Sequence, residues 1–496
     1  MTKQRTLDID IPGLDKLFIA GDWVAGSGVD TWDVVMPSTE ETIASVPLAS
    51  IADADAAVAA AREAFDTGPW PRMAPAERAS VCARFGEELV ARLPDLNRAW
   101  TFESGFPLLH GETINGSAGR LIWERAIELA PDLPWEEIRE TPTSKVLLER
   151  IPIGTVLAVL TYNGPVIQQG MKVIPGLLAG CPVIMKFAPD SQLTARLVAE
   201  AARISGFPAG VVSALPVDLE TSRYLVEHKG IDMVHMTGGI PAAVEVVGRT
   251  SKRLARTALE LGGKSPAIIM DDVDLDEVMS TLVPNSIGGL AQSCVALSRI
   301  LAPRSRYDDI VSKLVEAFES ISVGDPFDPS NDMGPLGNVR ALGRVQNMLE
   351  GAIKQGAKIA TGGRRPPHLE KGYFFEPTLL VDVDETMDIA QHEVFGPIIV
   401  VIPYDTVDDA VRIANGTEFG LAGSVYGGDE KTALDLARRV RSGSVAVNQA
   451  GVCLTEPFGG VKQSGWGREG GTEGILEFTE IKQYLLRGVE LQARLE

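Results

Sequence analysis

Four cysteines are few for 496 residues, and Cys82, Cys181, Cys294 and Cys453 stand far apart. None forms a C-x-x-C pair or clusters with histidine. This excludes the common zinc spacings, so no metal is expected, and it argues against a disulfide framework. Reduced thiols in a cytoplasm follow. Positive charge is also scarce: 46 Lys and Arg face 67 Asp and Glu, a net charge of −21. Nucleic acid is therefore not expected as a partner, because phosphate binding needs clustered basic side chains. No apolar run reaches the roughly 18 residues that span a bilayer, so no membrane association is expected. The segment from Met1 to Asp8 lacks the apolar core of a secretory signal. Internal repeats and low-complexity segments are absent as well.

What is present suits a large globular chain. Apolar residues make up 45% and charged residues 23%, and the length allows roughly two to four domain-sized units. Short strands and turns are expected over residues 17–50, with Gly26-Ser27-Gly28 a turn. Helices follow from about Asp53, over Pro75–Arg92 and over Leu93–Ser104. Pro131, Pro134 and Pro142 disfavour a continuous helix across 126–148, which reads as an excursion, a β arm. From Ile151 the chain alternates. Strands are expected at 156–161, 182–186, 210–215 and 231–236. A helix capped by Ser191 carries Leu193, Leu197, Val198, Ala201 and Ile204 at helical spacing. Further helices are expected at 219–228 and from about Pro241. Such alternation implies parallel βαβ units in a doubly wound sheet, with ligands beyond the carboxyl ends of the strands. Asn163, Lys186 and Thr237 fall there. A second alternating region runs from Ser265 to about Asn448, and residues 476–485 alternate like an edge or arm strand.

Two stretches carry the chemistry. Gln292-Ser293-Cys294-Val295 places a thiol in a small, uncharged setting. Leu259-Glu260-Leu261-Gly262-Gly263-Lys264 ends an apolar run on a carboxylate ahead of two glycines. A thiol can attack a carbonyl, and a carboxylate can then activate water against the thioester. Gly465-Trp466-Gly467-Arg468-Glu469-Gly470 fits G-x-G-x-x-G by letter. It follows a glycine-rich loop rather than a strand, so it is not a dinucleotide fingerprint.

These two stretches resemble the aldehyde dehydrogenase superfamily. So do Asn163-Gly164-Pro165, Lys186, Met236-Thr237-Gly238, Glu393-Val394-Phe395-Gly396-Pro397 and the run from Pro457 to Gly465, all in that family's order. The resemblance implies an α/β fold with a doubly wound nucleotide-binding domain (1–125 and 149–260) and an α/β catalytic domain (261–449). It also implies a loop returning to the active site (450–474) and a small β oligomerisation arm (126–148 and 475–496) that joins chains into a dimer or tetramer. It implies oxidation of an aldehyde to its acid with NAD and water. Cys294 resembles the nucleophile, Asn163 the oxyanion donor and Glu260 the base for thioester hydrolysis. Cofactor positions carried over by the resemblance are Thr161, Tyr162, Lys186, Pro189, Thr237, Gly238, Gly239, Leu261, Gly262, Glu393 and Phe395.

Two departures bear on the cofactor. Pro189 stands where the family often has a Glu that accepts the adenosine ribose hydroxyls, which leaves NADP open beside NAD. The family's Thr-Gly-Ser reads Thr237-Gly238-Gly239 here, one hydroxyl short, although backbone N–H groups at a helix start can still hold phosphate.

The substrate pocket is expected to include Tyr162, Val166, Met171, Ser293, Val295, Cys453 and Leu454. These favour an apolar aliphatic, terpenoid or aromatic aldehyde. A CoA-acylating relative, a Cys294-dependent thiol hydrolase and a catalytically silent member are the alternatives. Glu260 favours water over CoA, and the intact set of Asn163, Glu260 and Cys294 argues against the silent form.

Overall fold

Five of the expected apolar runs become parallel strands. In the computed structural model, which describes residues 6–486, Arg256–Glu260, Met233–Thr237, Val156–Val159, Val183–Lys186 and Val212–Ala214 lie side by side in that order. They are almost wholly buried, as expected of strands covered on both faces. Gly465–Trp466 adds antiparallel to one edge, and Leu17–Ile19 followed by Asp22–Val24 to the other. Chain order reverses between Val156–Val159 and Met233–Thr237, which opens a crevice at their carboxyl ends.

The second region forms a separate sheet. Its order is Lys358–Thr361, Thr378–Val381, Ile398–Tyr404, Arg299–Pro303, Pro266–Ile269, Ser424–Tyr426 and Ala446–Val447, parallel except at the first strand. The doubly wound α/β class expected from the sequence is therefore observed. Glu260 ends a strand of the first sheet, and Pro266 soon begins a strand of the second. Cys294 precedes Arg299–Pro303, and Glu393 precedes Ile398–Tyr404. The carboxyl ends of one sheet thus face the amino ends of the other.

Residues 126–148 are only partly a β excursion. The helix Arg120–Leu129 runs on into them, and Ala130–Asp132 forms a short turn. Lys145–Pro152 then pairs with Glu136–Glu140 on one side and Thr479–Leu486 on the other in a three-stranded antiparallel sheet. Within the alternating tail, Leu476 instead closes the helix Gly471–Leu476. Residues 487–496 of the expected arm lie outside the described residues.

Ser191 does not cap its helix. Its hydroxyl is buried and has no hydrogen-bond partner among the described residues. The helix Gln192–Ile204 is capped instead by Glu103, from Leu93–Ser104 far earlier in the chain. The Leu193 and Thr194 N–H groups donate to its carboxylate at 2.7 and 2.9 Å. Burial pushes the Glu103 carboxyl up to about 7 against those bonds. Ile204, the last residue of that helix, is exposed.

Pro175 alters the helix leading to Val183–Lys186. It has no N–H for the carbonyl four residues back, that of Met171. Gln169–Val173 accordingly forms a π-helical turn, in which the Ile174 N–H reaches Gln169 O, before Ile174–Ala179 continues as α-helix.

Candidate functional site

Cys294 lies in the segment joining the helix Leu275–Ile287 to the strand Arg299–Pro303. Gly289, Leu290 and Ala291 all take left-handed φ values, 59°, 61° and 50°. Each non-glycine residue there costs roughly 1–2 kcal/mol, so surrounding contacts must hold the segment. One anchor is Arg299, whose buried guanidinium donates to the Lys264, Ile413 and Ala414 carbonyls at 2.8 Å each. Cys294 packs beside Ile122, Met171, Leu421 and Phe458. Burial, then the Glu393, Glu260 and Glu469 carboxylates, push its thiol up to about 12.

Asn163 reaches that segment. Its Nδ2 donates to Gln292 O at 3.0 Å, and its Oδ1 accepts from the Thr161 hydroxyl at 2.6 Å. Gln168 Oε1 accepts from the Thr161 N–H at 3.0 Å. The amide is thereby turned with its NH2 toward the cysteine segment, and an NH2 has a second proton to offer. Tyr162, next in line, donates from its hydroxyl to Gln292 Oε1 at 2.8 Å.

Glu260 is 4% exposed, and neither carboxylate oxygen has a hydrogen-bond partner among the described residues. Burial, then the charge of Glu469, raises its pKa well above the usual carboxylate range. Glu469 is equally buried, but it ion-pairs with Lys172, and His235 Nε2 lies 3.0 Å from its Oε1. Burial alone would raise Glu469; Lys172 and His235 hold it below the usual range. Burial, then the neighbouring Lys172 charge, push the His235 imidazole below its usual range against the pull of Glu469. The two carboxylates are therefore pushed in opposite directions, Glu469 toward its ionised form and Glu260 toward its protonated one.

Several candidate cofactor residues stand at the carboxyl ends of the first sheet's strands. Lys186 ends its strand, and burial lowers its ammonium to about 8. Pro189 opens a short turn, Pro189–Ser191. The next side chain, Asp190, accepts from Asn338 Nδ2 at 2.9 Å and lies 3.8 Å from Arg340. Thr237 ends its strand, and Gly238 and Gly239 lead into the helix Ile240–Thr250, whose start carries no side-chain cap. Leu261 is buried, with its N–H on Ser464 O at 3.0 Å. At Gly262 a Cβ would lie 2.3 Å from Glu393 Oε2, so only glycine admits that carboxylate. Glu393 Oε1 accepts from the Gly263 N–H at 3.0 Å, and burial raises its carboxyl to about 7. Phe395 takes φ 53° and meets the Tyr162 ring edge-on at 6.2 Å.

Of the expected substrate-facing residues, Met171, Val295 and Leu454 do gather with Cys294. Val166 does not: it is fully buried in the main core. Cys453 is exposed. Ile122, Ile167, Leu421, Val452 and Phe458 join the apolar group without having been expected. Glu469, Lys172 and His235 were missed too. Glu469 lies inside the glycine-rich stretch rejected as a fingerprint. A carboxylate flanked by Gly467 and Gly470, both at positive φ, was the signal available. No group of His, Cys, Asp and Glu among the described residues is arranged to hold a metal. No helix there is long and apolar enough to cross a membrane.

The model of the aldehyde dehydrogenase family matches residues 23–484. The geranial dehydrogenase of Castellaniella defragrans is 36% identical over 473 residues, which cover 95% of this chain and 98% of the relative. A putative aldehyde dehydrogenase of Staphylococcus aureus is 35% identical over 469 residues, covering 94% and 98%. Among solved structures, a Mycobacterium tuberculosis aldehyde dehydrogenase complexed with NAD+ is 40% identical, with a TM-score of 0.94 over 95% of this chain and 98% of that one. A Staphylococcus aureus betaine aldehyde dehydrogenase in complex with NAD+ is 30% identical, with a TM-score of 0.92 over 95% and 96%.

Proposed function

The chain belongs to the aldehyde dehydrogenase family, and on that premise we propose that it oxidises an apolar aldehyde to the carboxylic acid with NAD+ and water, using Cys294 as nucleophile. The observation that carries this reading is the Asn163 amide, held 3.0 Å from the Gln292 carbonyl, two residues ahead of a half-buried cysteine.

The crevice fits a dinucleotide. The uncapped start of Ile240–Thr250 offers backbone N–H groups to phosphate, and a Cβ at Gly239 would meet nothing closer than Pro241 at 3.8 Å. Lys186 and Glu393 would hold ribose hydroxyls, and Phe395 would pack beside the nicotinamide end. Thr161, Tyr162, Leu261 and Gly262 would shape the wall between cofactor and nucleophile. Pro189 offers no carboxylate to the adenosine ribose, which leaves NADP acceptable. Bound there, the oxidised cofactor would supply a two-electron acceptor for the hydride that the substrate carbon gives up.

The chain's own residues do the rest. The Cys294 thiol, high in pKa beside three carboxylates, must lose its proton to a base before it attacks the aldehyde carbon. The free N–H of the Asn163 amide, with the Cys294 backbone N–H, stabilises the oxyanion. Glu260, once deprotonated, takes a proton from water as the water adds to the thioester, and the acid leaves with Cys294 as the leaving group. Glu469, fixed as an anion by Lys172, favours the protonated state of Glu260, so Glu260 is a strong base when it does ionise.

Ile122, Met171, Leu421 and Phe458 beside Cys294 present no charge, which suits an aliphatic, terpenoid or aromatic chain. The relative named geranial dehydrogenase agrees with that reading. The three-stranded sheet formed with Thr479–Leu486, built of half-exposed strands, is proposed as the arm of a dimer or tetramer. The free cysteines suit a reducing cytoplasm.

The test is formation of reduced nicotinamide with a panel of geranial-like, aliphatic, aromatic and carboxylated aldehydes, with NAD+ and NADP+, with and without CoA. Turnover of the apolar members without CoA supports the proposal. Dependence on CoA, or a preference for carboxylated aldehydes, overturns it.

A further inference from the structure

The segment that carries Cys294 has little regular bonding of its own. Gln292 N–H reaches Gly289 O at 3.0 Å, Ala296 N–H reaches Ser293 O at 3.1 Å, and Leu297 N–H reaches Asn285 O at 3.0 Å. Its left-handed run ends at Ala291, and the next residue, Gln292, is where other parts of the chain take hold. The side chain is 1% exposed. Its Oε1 accepts from the Tyr162 hydroxyl at 2.8 Å and from the Gly337 N–H at 3.2 Å. Its backbone oxygen accepts the Asn163 amide at 3.0 Å.

Each of these donors is itself fixed. Trp100 Nε1 donates to Tyr162 O at 2.8 Å. A Cβ at Gly337 would lie 2.6 Å from the Tyr162 ring, so the ring and that backbone N–H can converge on one oxygen only because residue 337 is glycine. The following residue, Asn338, donates to Asp190 in the turn Pro189–Ser191 that follows the Lys186 strand. A continuous set of contacts therefore runs from the cofactor side of the crevice, through Asn338 and Gly337, to Gln292 and on to Cys294.

We infer that Gln292 is a positioning residue: its side-chain amide, held by the Tyr162 hydroxyl and the Gly337 N–H, fixes the Cys294 thiol relative to the Asn163 amide. The nucleophile and its oxyanion donor are thereby set as one unit. This rests on Cys294 being the nucleophile. It assigns Tyr162 a task in that unit through its hydroxyl, in addition to any wall it offers the cofactor. The bond from Asn163 to the Gln292 backbone uses one amide proton and leaves the other to the substrate, so a shift of Gln292 moves both partners of the oxyanion.

Tyr162→Phe and Gln292→Met, alone and together, test this. The readouts are the pre-steady-state burst of NADH and the Kd for NADH by fluorescence. Each single variant is expected to slow the burst about tenfold or more, because misplacement by about 1 Å costs up to about 10²-fold. NADH Kd should change less than twofold. The double variant should be no slower than the slower single, because both remove the same bond. Bursts within twofold of the unaltered enzyme, losses that multiply in the double variant, or a parallel weakening of NADH binding would each overturn the inference. If Gln292→Met does not fold, the burst and Kd of Tyr162→Phe decide alone. Cys294→Ala runs alongside: a retained burst there removes the nucleophile reading itself, whereas loss there with an unaltered Tyr162→Phe burst removes only the role of Gln292.

Discussion

Glu469 holds the Lys172 ammonium in an ion pair, while Glu260 beside it has no hydrogen-bond partner among the described residues. Two neighbouring buried carboxylates cannot both ionise cheaply, and the ion pair favours ionisation of Glu469.

If Glu260 acts as the proposed base, activity should climb with pH as it loses its proton, because burial and the Glu469 charge raise its pKa. In Glu260→Gln the rising limb that belongs to this step should disappear. NADH should then appear as a burst followed by turnover slower by about 10²–10⁴-fold. A pH profile of kcat together with stopped-flow NADH formation checks both, and unaltered steady-state kinetics would remove Glu260 from deacylation.

Cys294→Ala should abolish aldehyde oxidation while NADH binds within about threefold of its usual Kd, since a thiol and a methyl group differ little in packing. Asn163→Ala should lower kcat by about 10²–10³-fold, the usual loss for one oxyanion donor. Turnover and fluorescence titration separate the two effects.

Gly262→Ala should weaken the cofactor site and spare the fold. The new methyl group would meet Glu393 Oε2 at 2.3 Å, and the partly buried Glu393 carboxylate would have to shift from the Gly263 N–H. An increase in NADH Kd of about tenfold or more is expected, with a melting temperature near that of the unaltered protein. Unchanged binding would show that Glu393 does not hold the ribose.

Lys264 gives a stability signature. Its ammonium is buried without a hydrogen-bond partner among the described residues, and burial lowers it to about 7 from its ordinary 10.5. Between those values the unfolded chain binds a proton that the folded chain does not. Stability therefore rises with pH in that window, by at most about 1.4 kcal/mol per pH unit. The melting temperature of the protein minus that of Lys264→Met should climb from pH 7 toward pH 10. A flat difference would mean that Lys264 keeps its proton.

Much of this was legible in the chain. Apolar runs spaced by helical stretches placed Asn163, Lys186 and Thr237 at strand ends, because parallel strands buried on both faces have a plain signature. Cys294 and Glu260 stood out by chemistry and by their neighbours. What sequence hid is what distant segments do together. Lys172 and Glu469 are separated by 297 positions, and nothing local to either marks a pair. Ser191 looked like a cap by type, yet Glu103 does that work from another helix, because a buried carboxylate can bond two N–H groups at once. Gly465 to Gly470 drew notice only for its letter match to a fingerprint, whereas in the fold it carries the buried Glu469 between two glycines at positive φ.

The π-helical turn that Pro175 produces gives neighbouring side chains different surroundings. Met171 reaches the apolar wall beside Cys294, and Lys172 reaches Glu469. In the proposed mechanism, the wall that would meet the aldehyde's tail and the cation paired with the carboxylate beside Glu260 are thus consecutive residues of one backbone. An enzyme built this way is hard to retune piecemeal. Adding or removing a residue in that turn to admit a bulkier tail would also swing the ammonium away from Glu469, so a change of diet would arrive as a change of pH optimum.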